Sequence, residues 1–349
     1  MNRTPRLGKS GIEYLDYVWN FYSGCQNKEA GICHVQRCWA EGITKRMGHN
    51  YPTGFKPAFY PEAFVSPVHL KKPSIIGCAF MGDLFGDWVN PDEKFHATMP
   101  SGKASITMSL KGWVFTTIRQ CPQHTFLFLT KCPWNLPKWS PFPANCRVGV
   151  TATGIEAYKR ALAGLAVIEA KVKFLSIEPF LERIPMAAPY ELDKDEVQQV
   201  IIGAQTKPTV YPKIESVQEI VAACDKAGVK VFLKDNLTFI TSGKIWAGKW
   251  VEHENQPEGE ELWWHPRQEM PTNVPLKEIR VGGKVAQLTR AKKRHEHTAC
   301  CGLPIEKGEA YYCVFICGAG LGNTKFPSRV HSKCINDYLN GGENANKRY

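Results

Sequence analysis

The stretch RVGVTATGIEAYKRALAGLAVIEAKVKFLSIEP, residues 147–179, contains a strand, a helix and a second strand in succession. RVGVT and KFLSI are short apolar runs bounded by polar or turn-forming residues, and such runs predict fully buried strands. Between them Tyr158, Leu162 and Leu165 recur at helical spacing and therefore share one face of a helix. A strand, a helix and a strand in this order indicate a parallel sheet.

The same kind of apolar run recurs along the first two thirds of the chain. In order, the runs are YVWNF, SIIGCAFM, TFLFLT, RVGVTAT, KFLSIEP, QVIIGAQ and VKVFLKD. A second clear helical pattern, IESVQEIVAACDKAG, separates the last two runs. Parallel strands alternating with helices predict an α/β fold, either a complete or a partial β/α barrel, with a doubly wound open sheet as the competing topology. Residues 98–112, rich in Ser, Gly and Pro, break this rhythm and are interpreted as a surface insertion.

Composition limits the class of protein. With 349 residues, 43% of them hydrophobic, the chain suits one large globular domain and a smaller module. No apolar run approaches the length of a membrane span, and the N-terminus lacks the apolar core of a signal peptide, so we expect a cytoplasmic protein. In that compartment cysteines favour metal ligation, catalysis or burial over disulfides. Five isolated cysteines are predicted to be small buried residues: Cys78, Cys121, Cys132, Cys146 and Cys224.

Three further cysteines follow the first predicted strand. Cys25, Cys33 and Cys38 have the spacing C-x7-C-x4-C, and Cys38 opens the helix CWAEGITKRM. A loop in this position faces the active-site end of a β/α barrel. Three thiolates can bind three irons of a [4Fe-4S] cluster and leave the fourth iron open for S-adenosylmethionine (SAM). A zinc site that includes His34 fits the spacing equally well, and plain burial of the thiols is the third alternative.

A polar residue stands at the end of each predicted strand. These residues are Asn20, Asp83, Lys131, Thr151, Glu178, Gln205 and Lys234. In a parallel barrel the strand ends converge on one pocket. Each residue has an ordinary structural alternative, such as a helix cap for Asp83 or a turn for Glu178. Taken together they predict an active site, with Asp83, Lys131, Glu178 and Lys234 as candidate catalytic residues.

Several motifs occur in an order typical of a known family. VWNFYSGC, CWAEGITKRMG, FMGDLF, PQHTFLFLTKCP, GVTAT, SIEPFL, VIIGAQT and VFLKDN follow one another between residues 18 and 236. This set resembles the phage protein Gp-thirty-seven/Gp-sixty-eight family of radical-SAM-like three-cysteine barrel proteins. Two departures are the wider cysteine spacing and Trp39, which follows the third cysteine where an aromatic residue usually precedes it.

The resemblance implies a barrel of radical-SAM type with a [4Fe-4S] cluster on the three loop cysteines. It also implies SAM as a second cofactor and an electron donor such as flavodoxin or ferredoxin. Asp83 occupies the place where radical-SAM barrels bind the amino group of SAM. The cofactor-binding residues expected by resemblance and position are Asn20, Gly82, Asp83, Thr151 and Gln205.

A second cysteine-rich segment, HTACCGLPIEKGEAYYCVFICGAGLGNTKFPSRVHSKC, spans residues 297–334. It offers candidate zinc ligands in two groups: His297, Cys300 and Cys301, and then His331 and Cys334. Four nitrogen or sulfur ligands in a segment too small to bury a core predict a structural zinc site. The segment resembles treble-clef or PARP-type fingers, with Thr298 where their first cysteine would be.

The net charge of +11 and the pI near 9.0 indicate a polyanionic partner. The run RAKKRHEH, residues 290–297, is the most basic point, and its candidate phosphate contacts are Arg290, Lys292, Lys293 and Arg294. A solvated linker is the alternative interpretation of this run. We divide the chain into an iron–sulfur barrel (1–265), a basic linker (266–294) and a zinc module (295–349).

These patterns together predict a radical-SAM-like iron–sulfur enzyme that acts on nucleic acid or a nucleotide, in base modification or repair. The alternative is a non-catalytic nucleic-acid-binding metalloprotein whose metal sites are structural.

Overall fold

The computed structural model describes residues 4–33, 35, 37–98, 104–187, 191–237, 240, 267–271, 278–281, 284–290, 304–305, 310–316 and 328–331. The chain divides into two compact units, residues 1–241 and residues 242–349. No helix in the described part of the chain has both the length and the apolar character that crossing a bilayer requires.

The first unit alternates strands and helices. Its strands are β1 (Leu7–Lys9), β2 (Tyr17–Trp19), β3 (Tyr22–Gly24), β4 (Ala58–Phe59), β5 (Ile75–Cys78), β6 (Met81–Gly82), β7 (Lys94–Thr98), β8 (Ser105–Ser109), β9 (Thr125–Thr130), β10 (Cys146–Thr151), β11 (Val172–Ile177), β12 (Gln199–Ile202) and β13 (Lys230–Leu233). Its α-helices are α1 (Trp39–Arg46), α2 (Leu110–Arg119), α3 (Ile155–Ala166) and α4 (Ile214–Ala227). Short 3-10 helices span Pro61–Ala63, Ser66–His69, Pro133–Lys138 and Asp235–Leu237.

The main sheet has eight strands in the order β1-β2-β5-β9-β10-β11-β12-β13. Strand β1 pairs antiparallel with β2, and every other neighbouring pair is parallel. The seven parallel strands are the seven predicted from the sequence, and they lie in chain order. A doubly wound sheet reverses its strand order at one point, whereas a β/α barrel keeps chain order. The order of this sheet is therefore that of a barrel.

The sheet is nevertheless open. Among the described strands, β1 and β13 form its two edges and are not paired with each other. The ring of Tyr14, just before β2, packs edge-on against Phe232 of β13 at 5.5 Å between centroids. The start of the sheet and its final strand therefore approach each other through side chains. A complete hydrogen-bonded barrel is not present in the described residues.

The core lies between the main sheet and its helices. Every residue of β5, β10 and β12 is buried, as expected for parallel strands covered on both faces. Helix α3 buries Tyr158 and Leu165 of its predicted face and leaves Leu162 half-buried, and α4 buries Val217, Ile220 and Val221. The five isolated cysteines are all buried, as predicted: Cys78, Cys121, Cys132, Cys146 and Cys224.

Two smaller sheets complete the first unit. Strands β4, β3 and β6 form a three-stranded sheet next to the cysteine loop. Strands β7 and β8 form an antiparallel pair that begins before the predicted insertion at residues 98–112 and ends within it. The insertion then runs directly into α2, whose first turn is capped by the Ser109 hydroxyl, which accepts a hydrogen bond from the Gly112 N–H.

The second unit contains a four-stranded antiparallel sheet. Its strands are β14 (Glu278–Val281), β15 (Lys284–Arg290), β16 (Ala310–Ile316) and β17 (Ser328–His331), paired in that order. Strands β14 and β15 lie within residues 266–294, the predicted basic linker, and β15 pairs along its whole length with β16. The run YYCVFI lies in β16, where Tyr311 and Tyr312 are buried.

Tight packing between two strands generates a test of this fold. Gly149 of β10 pairs with Phe174 of β11, and a Cβ at Gly149 would lie 2.1 Å from the Phe174 ring. Gly149→Ala should lower the free energy of unfolding in urea by about 1–3 kcal/mol, because the ring must shift within a packed core. Gly11→Ala, where a Cβ meets nothing within 4 Å, is the matched control and should change the value by less than about 0.5 kcal/mol.

The double variant Gly149→Ala/Phe174→Leu checks the cause. If the clash with the Phe174 ring is responsible, the double variant should lose less free energy of unfolding than the two single variants lose in sum. Additive costs would contradict this explanation.

Candidate active site

The strand-end residues lie along one edge of the main sheet. Each ends a strand or follows one within three residues: Asn20, Asp83, Lys131, Thr151, Glu178, Gln205 and Lys234. Since the carboxyl ends of parallel strands share an edge, this is the edge at which β/α proteins place their sites. Side-chain contacts divide these residues into two groups, one around Asp83 and the other around Glu178 and Lys234.

The Asp83 carboxylate accepts four hydrogen bonds, and we call this arrangement the carboxylate hub. Oδ1 accepts from the Thr130 hydroxyl at 2.7 Å and from the Phe85 N–H at 3.1 Å. Oδ2 accepts from the Asn27 side-chain amide at 2.7 Å and from the Lys131 N–H at 2.9 Å. Asp83 is only 4% exposed. Burial of a carboxylate is costly unless donors surround it, so the four donors are what allow this residue to be buried.

Asn27 connects the hub to the cysteine loop. Its backbone carbonyl accepts a hydrogen bond from the Cys33 N–H at 2.9 Å. Its side-chain carbonyl accepts from the thiol of Cys132 at 3.0 Å, and its backbone N–H donates to Cys25 Sγ at 3.4 Å. One buried asparagine therefore fixes two cysteines of the loop relative to the end of β9.

The three loop cysteines are free, half-buried thiols. Burial raises the pKa of Cys25 to about 12, and the Asn27 N–H and then the Lys131 ammonium act in the opposite direction. Cys38 occupies the cap position that precedes α1. Within the described residues no three His, Cys, Asp or Glu side chains form a group that could hold a metal ion. In a [4Fe-4S] cluster each thiolate binds a different iron, so its thiolates need not meet at one ion.

Two glycines fix the entry to the loop. Gly24 of β3, with φ of +95°, directly precedes Cys25, and it pairs with Gly82 of β6. A Cβ at Gly82 would lie 2.2 Å from the Gly24 carbonyl oxygen, and a Cβ at Gly24 would lie 2.4 Å from the Lys56 carbonyl. The backbones approach more closely than side chains permit, so the start of the loop is held by main-chain packing.

A shallow open groove lies beside the loop. The groups that line it are a loop thiol, two cations, two hydroxyls and several apolar side chains, among them Cys33, Lys131, Arg160, Thr151, Thr153, Pro133 and Leu181. The groove therefore joins the cysteine loop to the end of β10 and the outer face of α3. Its mixed lining suits a ligand that carries both an anionic and an apolar part.

The second group centres on Lys234, whose ammonium donates to Glu178 Oε1 at 2.5 Å. A Cβ at Gly203 would lie 3.0 Å from both side chains, so glycine leaves room for this ion pair. Glu13 accepts a hydrogen bond from the Asp235 N–H, and partial desolvation raises its pKa while Lys234 opposes that shift. A lysine close to two carboxyl groups is an arrangement that can hold or pass a proton.

Most of the predicted zinc and phosphate residues lie outside the described residues. These are His34, Lys292, Lys293, Arg294, His297, Cys300, Cys301 and Cys334. Arg290 ends β15 and His331 ends β17, and only their backbone positions are described. The roles assigned to all of them stay predictions.

The fold and the site define an α/β protein with a three-cysteine loop at the carboxyl edge of a largely parallel sheet. Residues 9–271 match the family described as "protein of unknown function (DUF5131)". The match covers more than half of the chain, which therefore belongs to that family.

Beyond the family, similarity to known proteins is distant. No curated protein matches the chain significantly. Among solved structures, a spore photoproduct lyase complexed with dinucleoside spore photoproduct is similar with a TM-score of 0.36 and 10% sequence identity. The match covers 66% of this chain and 66% of that chain, just under two thirds of each. A likeness this distant supports no conclusion about activity.

Three residues at the site were not predicted from the sequence. Asn27 could not be identified from local sequence, because its partner Asp83 is 56 positions away. Arg160 could not be identified either, because it lies on an ordinary polar face of a helix. Cys132 was predicted to be buried, and it is, but its thiol also donates to Asn27. Its position directly after Lys131 in the motif TKCP was the available signal.

The carboxylate hub can be tested by Asp83→Asn. This change replaces an acceptor oxygen with an N–H₂ donor, which leaves donors such as Thr130 or Asn27 unpaired in the core. We expect the free energy of unfolding to fall by about 1–3 kcal/mol for each donor left unpaired. In metal-free protein, alkylation of Cys25, followed by mass spectrometry, should become faster as the loop loosens.

Asp195→Asn is the control, since Asp195 is exposed. It should leave stability within about 0.5 kcal/mol of the parent and leave Cys25 alkylation unchanged. An Asp83→Asn protein as stable as this control would show that the hub does not hold the loop.

Proposed function

We propose that this protein is an iron–sulfur enzyme of radical-SAM type that acts on nucleic acid or a nucleotide, in base modification or repair. One observation carries the proposal: three free, half-buried thiols share one loop at the carboxyl edge of a parallel sheet whose strands follow chain order. The motif order that resembles the phage Gp-thirty-seven/Gp-sixty-eight family, including a partial barrel of radical-SAM type, supports the same function.

The donor set suits an iron–sulfur cluster. Thiolates are the usual ligands of such clusters, and three of them leave one iron available to a cofactor. Cys25, Cys33 and Cys38 would hold the cluster. Together with SAM, such a cluster supplies the one-electron cleavage of a sulfonium bond that yields a 5'-deoxyadenosyl radical. Ligation needs the deprotonated thiol, which burial and then the Asp83 carboxylate disfavour at Cys25, while the Asn27 N–H and then the Lys131 ammonium act against this rise in its pKa.

The other strand-end residues lie along the same edge of the sheet. Thr151 lines the groove beside Cys33, and we assign it, with Asn20, Gly82 and Gln205, to cofactor contact. The Asn20 side chain already accepts the Met81 N–H at 3.2 Å, which orders the segment leading to the hub. Both Asp83 oxygens are engaged, so we give it a positioning role first, and its contact with the SAM amino group stays a prediction.

Glu178 and Lys234 are assigned to proton handling. Their ion pair at the ends of β11 and β13 lies on the same edge of the sheet as the cysteine loop. Lys234 can give a proton to a substrate atom and Glu178 can stabilise or recover it. Glu13, with its raised pKa, is a further group that can hold a proton near this pair.

A nucleic-acid substrate is supported by the net charge of +11. The predicted zinc module and the basic run from Arg290 to Arg294 would add non-specific phosphate contacts, which position a protein without reading sequence. Reduction of the cluster would require a partner such as flavodoxin or ferredoxin. These partners and the zinc site are proposals from the sequence.

The proposal is tested by anaerobic reconstitution of the full chain with iron and sulfide, followed by assay for 5'-deoxyadenosine from SAM. We expect a brown protein with about four irons per chain, the content of one [4Fe-4S] cluster. Cys25→Ala, Cys33→Ala and Cys38→Ala should each lower iron and 5'-deoxyadenosine to background. Cys121→Ala, which removes a buried thiol elsewhere, is the matched control and should retain both.

Full iron content in all three loop variants would place the cluster elsewhere and refute the assignment. A colourless protein that binds zinc and nucleic acid would instead favour the non-catalytic metalloprotein, because zinc has no redox chemistry.

A further inference from the structure

The groove beside the cysteine loop carries two cations without salt bridges. Lys131 is half-buried, Arg160 is exposed, and neither forms an ion pair with a described carboxylate. Glu156, one turn before Arg160 on α3, is bound by Lys159 at 2.7 Å. Two positive charges that share one groove and have no bound partner attract an anion.

Hydroxyls complete the polar lining of this groove. Thr153, just beyond β10, lines the space that Lys131 and Arg160 line, and it lies two residues after Thr151, which is assigned above to the cofactor. Ammonium, guanidinium and hydroxyl groups are the side-chain groups that most often contact nucleic-acid phosphates. The anionic part of the ligand is therefore a phosphate in this assignment.

A fixed aromatic side chain belongs to the residue that follows a groove-lining proline, although it does not itself line the groove. Trp134 is 42% exposed and directly follows Pro133, which lines the groove. Its indole N–H donates to Asp87 Oδ1 at 2.8 Å, and the Asn135 amide donates to the same oxygen at 2.7 Å. These two bonds, Trp134 first, lower the pKa of Asp87, so the acceptor keeps its charge. The indole is thus held in place while part of its surface remains open to solvent.

Packing joins this aromatic side chain to the cationic helix. A Cβ at Gly164, one turn after Arg160, would lie 2.4 Å from the Pro133 side chain. Glycine at this position lets the 3-10 helix Pro133–Lys138 rest directly on α3. Arg160 and Trp134 are therefore carried by two elements in direct contact, and Lys131 lies two residues before the 3-10 helix.

We propose that this groove binds single-stranded nucleic acid, with a phosphate held by Lys131 and Arg160 and a base stacked on Trp134. The proposal deepens the proposed function and rests on it for the identity of the reaction, since it names the substrate of the same site. Bases inside a duplex have both faces covered by their neighbours, so only an unstacked base offers a face to an indole. An acidic peptide would satisfy the cations but leave the indole unused.

The first test measures binding of a fluorescently labelled oligothymidylate, about six nucleotides long, to the full chain by anisotropy over a range of salt concentrations. For single strands each phosphate contact contributes about 0.7 to the slope of log affinity against log salt. Because both cations hold one phosphate in this proposal, Lys131→Gln/Arg160→Gln should reduce the slope by about 0.7. Lys159→Gln/Lys226→Gln removes two charges whose partners lie outside the groove and should leave the slope close to that of the parent.

The second test addresses the base. Trp134→Leu should weaken binding of the same strand about 5- to 160-fold, the loss expected for one stacked base. Trp134→Phe keeps a stacking face and should retain most of the affinity. The strand should quench protein fluorescence in the parent and should quench it less in Trp134→Phe.

The outcomes separate this inference from the proposed function. Equal slopes for the groove variant and its control, or unchanged affinity in Trp134→Leu, would overturn the groove assignment. Iron content and SAM cleavage are measured on the parent protein, so the proposed function would still stand or fall on its own test. If instead the chain binds no iron and yet loses strand affinity in the groove variants as described, the binding site stands and the enzymatic proposal fails.

Discussion

The buried Asp83 carboxylate is the constraint on which the site depends. A carboxylate removed from water must receive donors from several directions, and around Asp83 these come from three separate parts of the chain. The loop before α1 supplies Asn27, the end of β9 supplies Thr130 and Lys131, and the segment after β6 supplies Phe85. One acceptor thus aligns the cysteine loop with the carboxyl edge of the sheet.

The fold could be predicted from local sequence patterns, whereas the carboxylate hub could not. Apolar runs and helical spacing depend on neighbouring residues, and they identified the seven parallel strands and the faces of α3 and α4. The sequence also identified Asp83 and Lys131 as candidate site residues, because both lie at the ends of predicted strands. The contact between Asp83 and Asn27 could not be predicted, because two residues 56 positions apart produce no periodic pattern in the sequence. Barrel closure is likewise decided by long-range packing, such as that between Tyr14 and Phe232.

In the second unit, the basic charge of a segment obscured the strand pattern within it. Residues 278–281, EIRV, alternate polar and apolar side chains, which is the period of a half-buried strand, and KVAQLTR keeps this period only in part. Because Lys and Arg are frequent in the same region, residues 266–294 were interpreted as a basic linker. Its β14–β15 pair, continued by β16, shows that basic residues and strand periodicity are compatible, because charged side chains can occupy the exposed face of a sheet.

The distance in sequence between Asn27 and Cys132, 105 residues, has a consequence for biosynthesis. A ribosome delivers the chain from its N-terminus, so the three loop thiols emerge long before Thr130, Lys131 and Cys132. Contacts that close long loops form late, because their entropic cost comes before any gain. The nascent chain therefore passes through a stage with accessible thiols and an unbraced loop. If the loop holds the cluster proposed above, loading of that cluster belongs after the synthesis of β9, when the loop has its final surroundings.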